Sequence, residues 1–273
     1  MATVAALPNV LVIVIEHMAM KMPLHLWPAL KEKAAVTFAT TAEKALAHIQ
    51  AGNLKTIILA DPAISKECHG TLLKEVTRYA QTGGRVIMCC LFSNFISPPV
   101  LNNLLQQEWG LPWRYGDYHR TDFYLNPARV NMCPNPHLPN SYSMKAVSLQ
   151  SVELASRIYC PTRASTTQSN VFPSQPVTDT TQAAVAFTKI DQGWLGYIGD
   201  VNAEEESTTV VLAMAGLLSD NGLDAMECEN STGAEQGGRS INMIRELLMP
   251  TEVAQRLLIH YILPHSCRCA CRT

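Results

Sequence analysis

Polar and titratable residues gather at four places where apolar runs stop. Glu16-His17 follows Val10–Ile15, and Asp61-Pro62 follows Thr56–Ala60. Cys89-Cys90 closes Arg85–Cys90 and leads into Leu91-Phe92-Ser93-Asn94-Phe95, while Gly199-Asp200-Val201-Asn202 follows Trp194–Ile198. A partly desolvated carboxylate such as Glu16 suits proton transfer, and its plainer role is to cap the next helix. Cys89 and Cys90 point to opposite faces if both lie in a strand, so at least one is a small core residue. Cys90 is then the candidate nucleophile. A further polar run, Asp117-Tyr118-His119-Arg120, lies outside these strands. In extended chain it puts Asp117 and His119 on one side and Tyr118 and Arg120 on the other. His119 suits acid–base work near neutral pH, and Arg120 suits a carboxylate. The same four residues also read as a salt-bridged surface strand.

Around these groups the expected lining of a binding cleft is His17, Asp61, Phe92, Ser93, Trp113, Tyr115, Tyr118, Asp200 and Asn202. The aromatic members, with Trp109, can wall an apolar pocket. Asn202 is expected to cap the helix that follows, and a helix start facing a cleft also favours anions.

The elements that position these residues follow from hydrophobic patterning. Val10–Ile15, Ala35–Phe38, Thr56–Ala60 and Arg85–Cys90 read as buried strands. Helices are expected over Leu24–Lys33, over Ala42–Ala51 behind the cap Thr41, over His69–Gln81 and over Val100–Trp109. Four strand–helix alternations imply parallel strands with right-handed crossovers and helices on both faces. In such a sheet the crevice beyond the carboxyl ends of the strands is the place for a ligand. Residues 110–181 are rich in Pro, Ser, Thr, Asn and aromatics, with strands expected at Thr121–Leu125 and Ala146–Val152. They read as an insertion folding over the sheet. Ala184–Ile190 and Trp194–Ile198 flank Asp191-Gln192-Gly193 as a hairpin, and Glu204–Leu218 reads as a helix. Residues 8–218 thus make one α/β domain. Residues 219–273 make a linker and a helical extension, Ile241–Leu248 and Glu252–Ile262, which either packs on the domain or serves as a homodimer contact.

Composition excludes several classes. A formal net charge of -2 over 273 residues offers no basic footprint for nucleic acid or anionic membrane. Val10–Ile15 is too short to span a bilayer, and Met1–Pro8 carries no basic leader segment, so a cytoplasmic location is expected. Without such a leader the nine cysteines are expected to be reduced. Cys267, Cys269 and Cys271, near His265, form the one dense cluster, yet lack zinc-knuckle spacing. No dinucleotide fingerprint, phosphate loop or metal-ligand spacing occurs, so neither a cofactor nor a metal is expected.

The strand–helix order, the buried strand Gly84–Cys90 and the closing run Gly193 to Asn202, with Tyr197-Ile198-Gly199-Asp200, resemble the class I glutamine amidotransferase-like fold. That group also includes the trehalose-utilisation-like and DJ-1-like proteins. Trp109-Gly110-Leu111-Pro112-Trp113, Gly116 to Thr121 and Tyr197 to Glu204 resemble, more closely, a filamentous-fungal protein group with this fold. The resemblance spans residues 8–218. It implies an open, mostly parallel sheet with flanking helices, flavodoxin-like in its layout. True glutamine amidotransferases hold a nucleophilic Cys in a Gly-x-Cys-x-Gly elbow. Here Met88-Cys89-Cys90-Leu91-Phe92 has no glycine beside either cysteine, and the family's downstream His-x-Glu pair is not evident. The DJ-1-like pattern would instead match Glu16 with Cys90.

Three functions follow as expectations. The first is a cofactor-independent enzyme on a small hydrophobic metabolite, an isomerase, a cyclase (pericyclic chemistry included) or a lyase in fungal secondary metabolism, using His119 and Arg120. The second is a Cys-dependent hydrolase or amidase, using Cys90 with His119 or Glu16. The third is a ligand-binding protein without catalysis. Fold alone does not choose among them.

Overall fold

The run Asn9-Val-Leu-Val-Ile13 is β-branched or leucine at every position after the first, and forms strand β1 (Asn9–Ile13). Its side chains divide between two cores, with Val10 and Val12 in one and Leu11 and Ile13 in the other. A strand buried on both faces belongs in the middle of a layered α/β structure. The computed structural model describes residues 6–16, 25–129, 131–132 and 136–218. His17, Cys133, and the linker, terminal helices and Cys-rich tail expected over 219–273 lie outside the described residues.

Helix α1 (Leu26–Lys33) leads to β2 (Ala35–Ala39) and α2 (Ala42–Ala51). Thr41 caps α2 by accepting from the Lys44 N–H at 3.3 Å, and Gly52 ends it at φ 76°. Strand β3 (Leu54–Leu59), α3 (Gly70–Gln81) and β4 (Arg85–Met88) follow. A four-residue turn of helix, α4 (Phe92–Phe95), precedes α5 (Pro98–Asn103), which runs into a wider π turn at Leu104–Glu108. The single helix expected over Val100–Trp109 is therefore two pieces. Strands β5 (Arg114–Leu125), β6 (Ser141–Gln150) and β7 (Arg157–Cys160) come next, then the hairpin β8 (Val185–Ile190) and β9 (Gly193–Ile198), and α6 (Glu205–Met214).

These strands form one nine-stranded sheet in the order β2-β1-β3-β4-β9-β8-β7-β5-β6. From β2 to β9 every pairing is parallel; from β9 to β6 every pairing is antiparallel. The fold is α/β, and its parallel half has the flavodoxin-like order. Helices α1 and α6 contribute to one core, and α2, α3 and α5 to the other.

The region 110–181 differs from the expectation that it folds over the sheet. Its strands enter the sheet and build most of the antiparallel half, because β5 and β6 are long enough to form a ladder of their own. Part of it does turn back: Val147 N–H donates to Gly199 O, Val201 N–H to Lys145 O, and Leu149 exchanges bonds with Ala183. Strand β6 thus crosses the outlet of β9. Gly199 permits this crossing, since a Cβ there would lie 2.0 Å from Val147 O.

Candidate functional site

The crevice where strand order reverses, between β1 and β3, is filled by Asp61. This residue is buried, and its carboxylate accepts from Ile15 N–H at 2.9 Å and Glu16 N–H at 2.8 Å. Its other oxygen accepts from Ala63 N–H at 3.2 Å, which caps the short turn of helix at Pro62–Ser65. Asp61 is placed at the strand ends as expected of a lining residue, but it clamps backbone there. Glu16 turns outward and pairs with Lys66 at 2.5 Å. It faces solvent and does not meet Cys90, so the DJ-1-like pairing is not formed.

An opening lies instead beyond β4 and β9. It is bounded by Leu26 of α1, Cys89 and Cys90, Ile198 and Asp200, and by Ala203, Glu204, Ser207, Thr208 and Val211 around the start of α6. Its volume is about 20 Å³, room for a water-sized group rather than a metabolite. Among the described residues no aromatic side chain borders it. On the opposite face of the sheet a larger groove of about 230 Å³ runs between Leu73 of α3 and Pro99 to Glu108. It brings together none of the candidate residues.

Cys89 and Cys90 lie past the end of β4, which closes at Met88, so the strand alternation expected for them does not apply. Phe92 N–H donates to Cys89 O at 3.1 Å, making a tight turn from strand to α4. Within it Cys90 stands at φ 61°, in the left-handed region. An L side chain there costs about 1–2 kcal/mol, and such outliers gather at functional sites. Both cysteines line the opening, with their sulfurs 3.4 Å apart. Cys89 is buried and Cys90 half-buried. The hydrogen bond to Cys89, then burial, hold the Cys90 thiol well above the ordinary thiol range, and the charges of Cys89 and Asp200 act in the same sense. At neutral pH Cys90 is therefore a thiol.

Asp200 is buried beside them. Its carboxylate accepts from the N–H groups of Asn202 at 2.9 Å, Ala203 at 3.1 Å and Glu204 at 2.7 Å, and from Ser207 Oγ at 2.6 Å. The expectation that Asn202 caps the helix is corrected: Asn202 is exposed, and Asp200 satisfies the free N–H groups ahead of α6. Burial raises the Asp200 carboxyl above its usual range, outweighing these hydrogen bonds. Ser207 gives its proton to Asp200, so the Tyr142 hydroxyl, 3.3 Å away, donates to Ser207. The result is a buried Tyr142–Ser207–Asp200 chain reaching the opening. Ser207, Thr208 and Glu204 were not among the expected site residues. Their only sequence signal is a polar first turn of a helix, which the great majority of helices share.

The hairpin β5–β6 brings Arg120 to the rim. Its guanidinium pairs with Glu204 and donates to Ser143 Oγ at 3.2 Å. His119 opposes Ala146, which itself bridges to Asp200. Two strand spacings, roughly 10 Å, therefore separate His119 from Asp200 along the backbone. The His119 ring lies over Phe123 at 6.3 Å between centroids, and its Nε2 is buried with no partner among the described residues. Burial lowers its pKa, against the raising effect of Asp117. Asp117 is held by Gln182 Nε2 at 2.9 Å.

The other expected lining residues are placed elsewhere. Phe92 and Trp113 are fully buried in the core beneath α3 and α5. Ser93 donates to Ile198 O at 2.9 Å and pins α4 to β9. Tyr115 packs against that same core, with its N–H on Asn102 Oδ1 at 2.7 Å. Tyr118 is half exposed, under the Lys145 ammonium. The aromatic wall is not assembled, because a β-bulge at Tyr115/Tyr118 redirects the strand and the tryptophans face the core. Among the described residues no three His, Cys, Asp or Glu side chains converge as a metal site, and no helix is long and apolar enough to cross a membrane.

No family model matches the chain, and no curated protein matches it. Among solved structures, a β-galactosidase from Bacillus circulans sp. alkalophilus is 12% identical, with a TM-score of 0.45, over 76% of this chain and 30% of that one. The chain thus spans under a third of that enzyme's length. A GMP synthase-like protein from Thermoplasma acidophilum is 11% identical, TM-score 0.45, over 78% of this chain and 94% of that one. A ThuA-like protein from Bacteroides uniformis is 13% identical, TM-score 0.43, over 78% and 92%. These are distant likenesses of overall shape, and none of them supplies an activity for the site described above.

Proposed function

We propose that this protein is an enzyme whose reacting group is the Cys90 thiol: a Cys-dependent hydrolase or amidase for a small carbonyl compound. The carrying observation is Cys90 at φ 61° on the tight turn from β4 to α4, with its sulfur on the opening. A strand–turn–helix elbow of this kind presents a nucleophile above the sheet. In this reading the Cys90 sulfur attacks the carbonyl carbon as the Sγ–H proton passes to the leaving nitrogen or oxygen of the substrate. The carbonyl π electrons move to oxygen, and the backbone N–H of Leu91, next after the elbow, would be the donor to that oxyanion. The amine or alcohol leaves with that proton, and water then cleaves the thioester and restores the thiol. The opening, about 20 Å³, would admit only the reacting carbonyl group, with the rest of the substrate outside it.

The test is hydrolysis of a panel of short-chain amides and esters by the full chain and by Cys90→Ala. Turnover that disappears in the variant, with a thioester trapped on the Cys90 peptide, supports the reading. Undiminished turnover by Cys90→Ala removes it.

A second reading keeps a cofactor-independent isomerase or cyclase acting through His119 and Arg120. It is favoured by the buried, unpartnered Nε2 of His119, which burial keeps neutral. His119→Gln would then abolish turnover while Cys90→Ala leaves it intact.

A further inference from the structure

Beyond its use of one sulfur, the turn at the end of β4 sets two sulfurs side by side. Cys89 Sγ and Cys90 Sγ are 3.4 Å apart, and both residues line the same opening. Neighbouring residues rarely allow this, since a continued strand would send the two side chains to opposite faces. The left-handed backbone at Cys90 turns the second sulfur back toward the first.

Three kinds of occupant can be weighed against this geometry. A zinc ion wants four ligands, and among the described residues no third metal-binding side chain joins the two sulfurs; both oxygens of nearby Asp200 are engaged with N–H and hydroxyl donors. A disulfide fits poorly: the Cα atoms of adjacent residues are about 3.8 Å apart, whereas ordinary disulfides hold theirs at roughly 4.4–6.8 Å. Oxidation also begins from a thiolate, and Cys89 and burial hold the Cys90 thiol well above the ordinary thiol range. A trivalent arsenical with one carbon substituent needs two sulfurs and nothing more.

We propose that Cys89 and Cys90 form a two-sulfur site that captures a monosubstituted trivalent arsenical, with the arsenic bridging both sulfurs at the opening and its substituent directed outward. The step balances without a redox partner. In methylarsonous acid two As–O bonds break and two S–H bonds break; two As–S bonds form, two water molecules leave, and arsenic stays trivalent. Because thiols enter this condensation directly, the raised Cys90 thiol does not obstruct it. The site stands whether or not Cys90 also turns over a substrate.

The probe is methylarsonous acid, added to the full chain carrying Cys267→Ser, Cys269→Ser and Cys271→Ser so that the tail cluster does not compete. Excess 2-mercaptoethanol strips arsenic held by one sulfur. Intact-mass spectrometry should show one arsenic retained per chain, mapped to the peptide holding Cys89 and Cys90. Adding Cys90→Ser or Cys89→Ala should weaken retention about 100-fold or more, the loss expected when a second tethered contact is removed. Circular dichroism checks that each variant folds. If Cys89→Ala does not, Cys90→Ser decides, because its half-buried position accepts a hydroxyl. Equal retention by a folded single variant overturns the proposal. So does a folded parent chain that keeps no arsenic, or one that loses two hydrogens and forms a Cys89–Cys90 disulfide instead. Retention is read by mass, so a failure of the hydrolase reading leaves this result untouched, and the reverse.

Discussion

Cys90 combines a strained backbone with a sulfur that resists ionisation, and the two properties make opposite demands on reactivity. The turn exposes the sulfur to the opening, while Cys89, burial and Asp200 keep its proton on. Alkylation of the Cys90 peptide by iodoacetamide should therefore be slow at pH 7 and rise about tenfold per pH unit, still climbing past pH 9. Levelling off below pH 8 would mean that the thiolate is stabilised after all. His119 gives a second pH signature. Burial depresses its folded pKa, so as pH falls through about 6.5 the unfolded chain takes up the proton first. The stability that the neutral ring contributes is present above that pH and lost on acidification. Thermal melts from pH 8 to 5 should fall further for the parent protein than for His119→Gln. Parallel curves would place the imidazole in contact with water.

At the scale of elements, the start of α6 depends on one carboxylate. Replacing Asp200 by Ala leaves three N–H groups and the Ser207 hydroxyl without their acceptor, and should cost about 3 kcal/mol in urea unfolding. A cost near zero would show that water replaces it. The crossing of β6 over β9 is equally local: Gly199→Ala drives a Cβ into Val147 O, and a loss of about 3 kcal/mol is expected. Much of the parallel half was legible in the sequence, because Val10–Ile15 and Thr56–Ala60 are continuous apolar runs and Thr41 and Gly52 mark the ends of α2. The hairpin β8–β9 was legible from Asp191-Gln192-Gly193. What escaped was set by tertiary contacts. Trp113 and Phe92 read as pocket walls because they sit next to polar residues, yet their burial in the second core depends on α3 and α5. The same holds for Asp61, whose clamp on Ile15 and Glu16 joins residues 46 and 45 apart. Asp200 and Asn202 are two residues apart in one loop, and only the path of the backbone decides which of them becomes the cap. Cys90 was legible as a thiol at a strand end. Its left-handed turn was not, because no glycine announces it.

For the whole molecule, β9 is the seam between the two halves: it pairs in parallel with β4 and antiparallel with β8. The β4 partner lies 109 residues away, as Arg85↔Trp194 shows (194 minus 85). Such non-local pairing slows folding and makes both halves depend on one strand. Leu195, fully buried on β9, is the place to test this. Leu195→Ala should cost about 3 kcal/mol, with tryptophan fluorescence and far-ultraviolet circular dichroism reporting a single coincident transition. Two separated transitions would mean that the halves fold independently. The return of β6 onto Gly199 and Val201 has a different consequence, for what the sheet can recruit. An open sheet ordinarily offers two rows of unpaired backbone groups to a passing strand, and each is a starting point for fibrous assembly. Here one row is engaged by the protein's own β9 outlet. Among the described residues that leaves the five-residue β2 as the terminal strand, so any growth of this sheet by added strands would start from Ala35–Ala39.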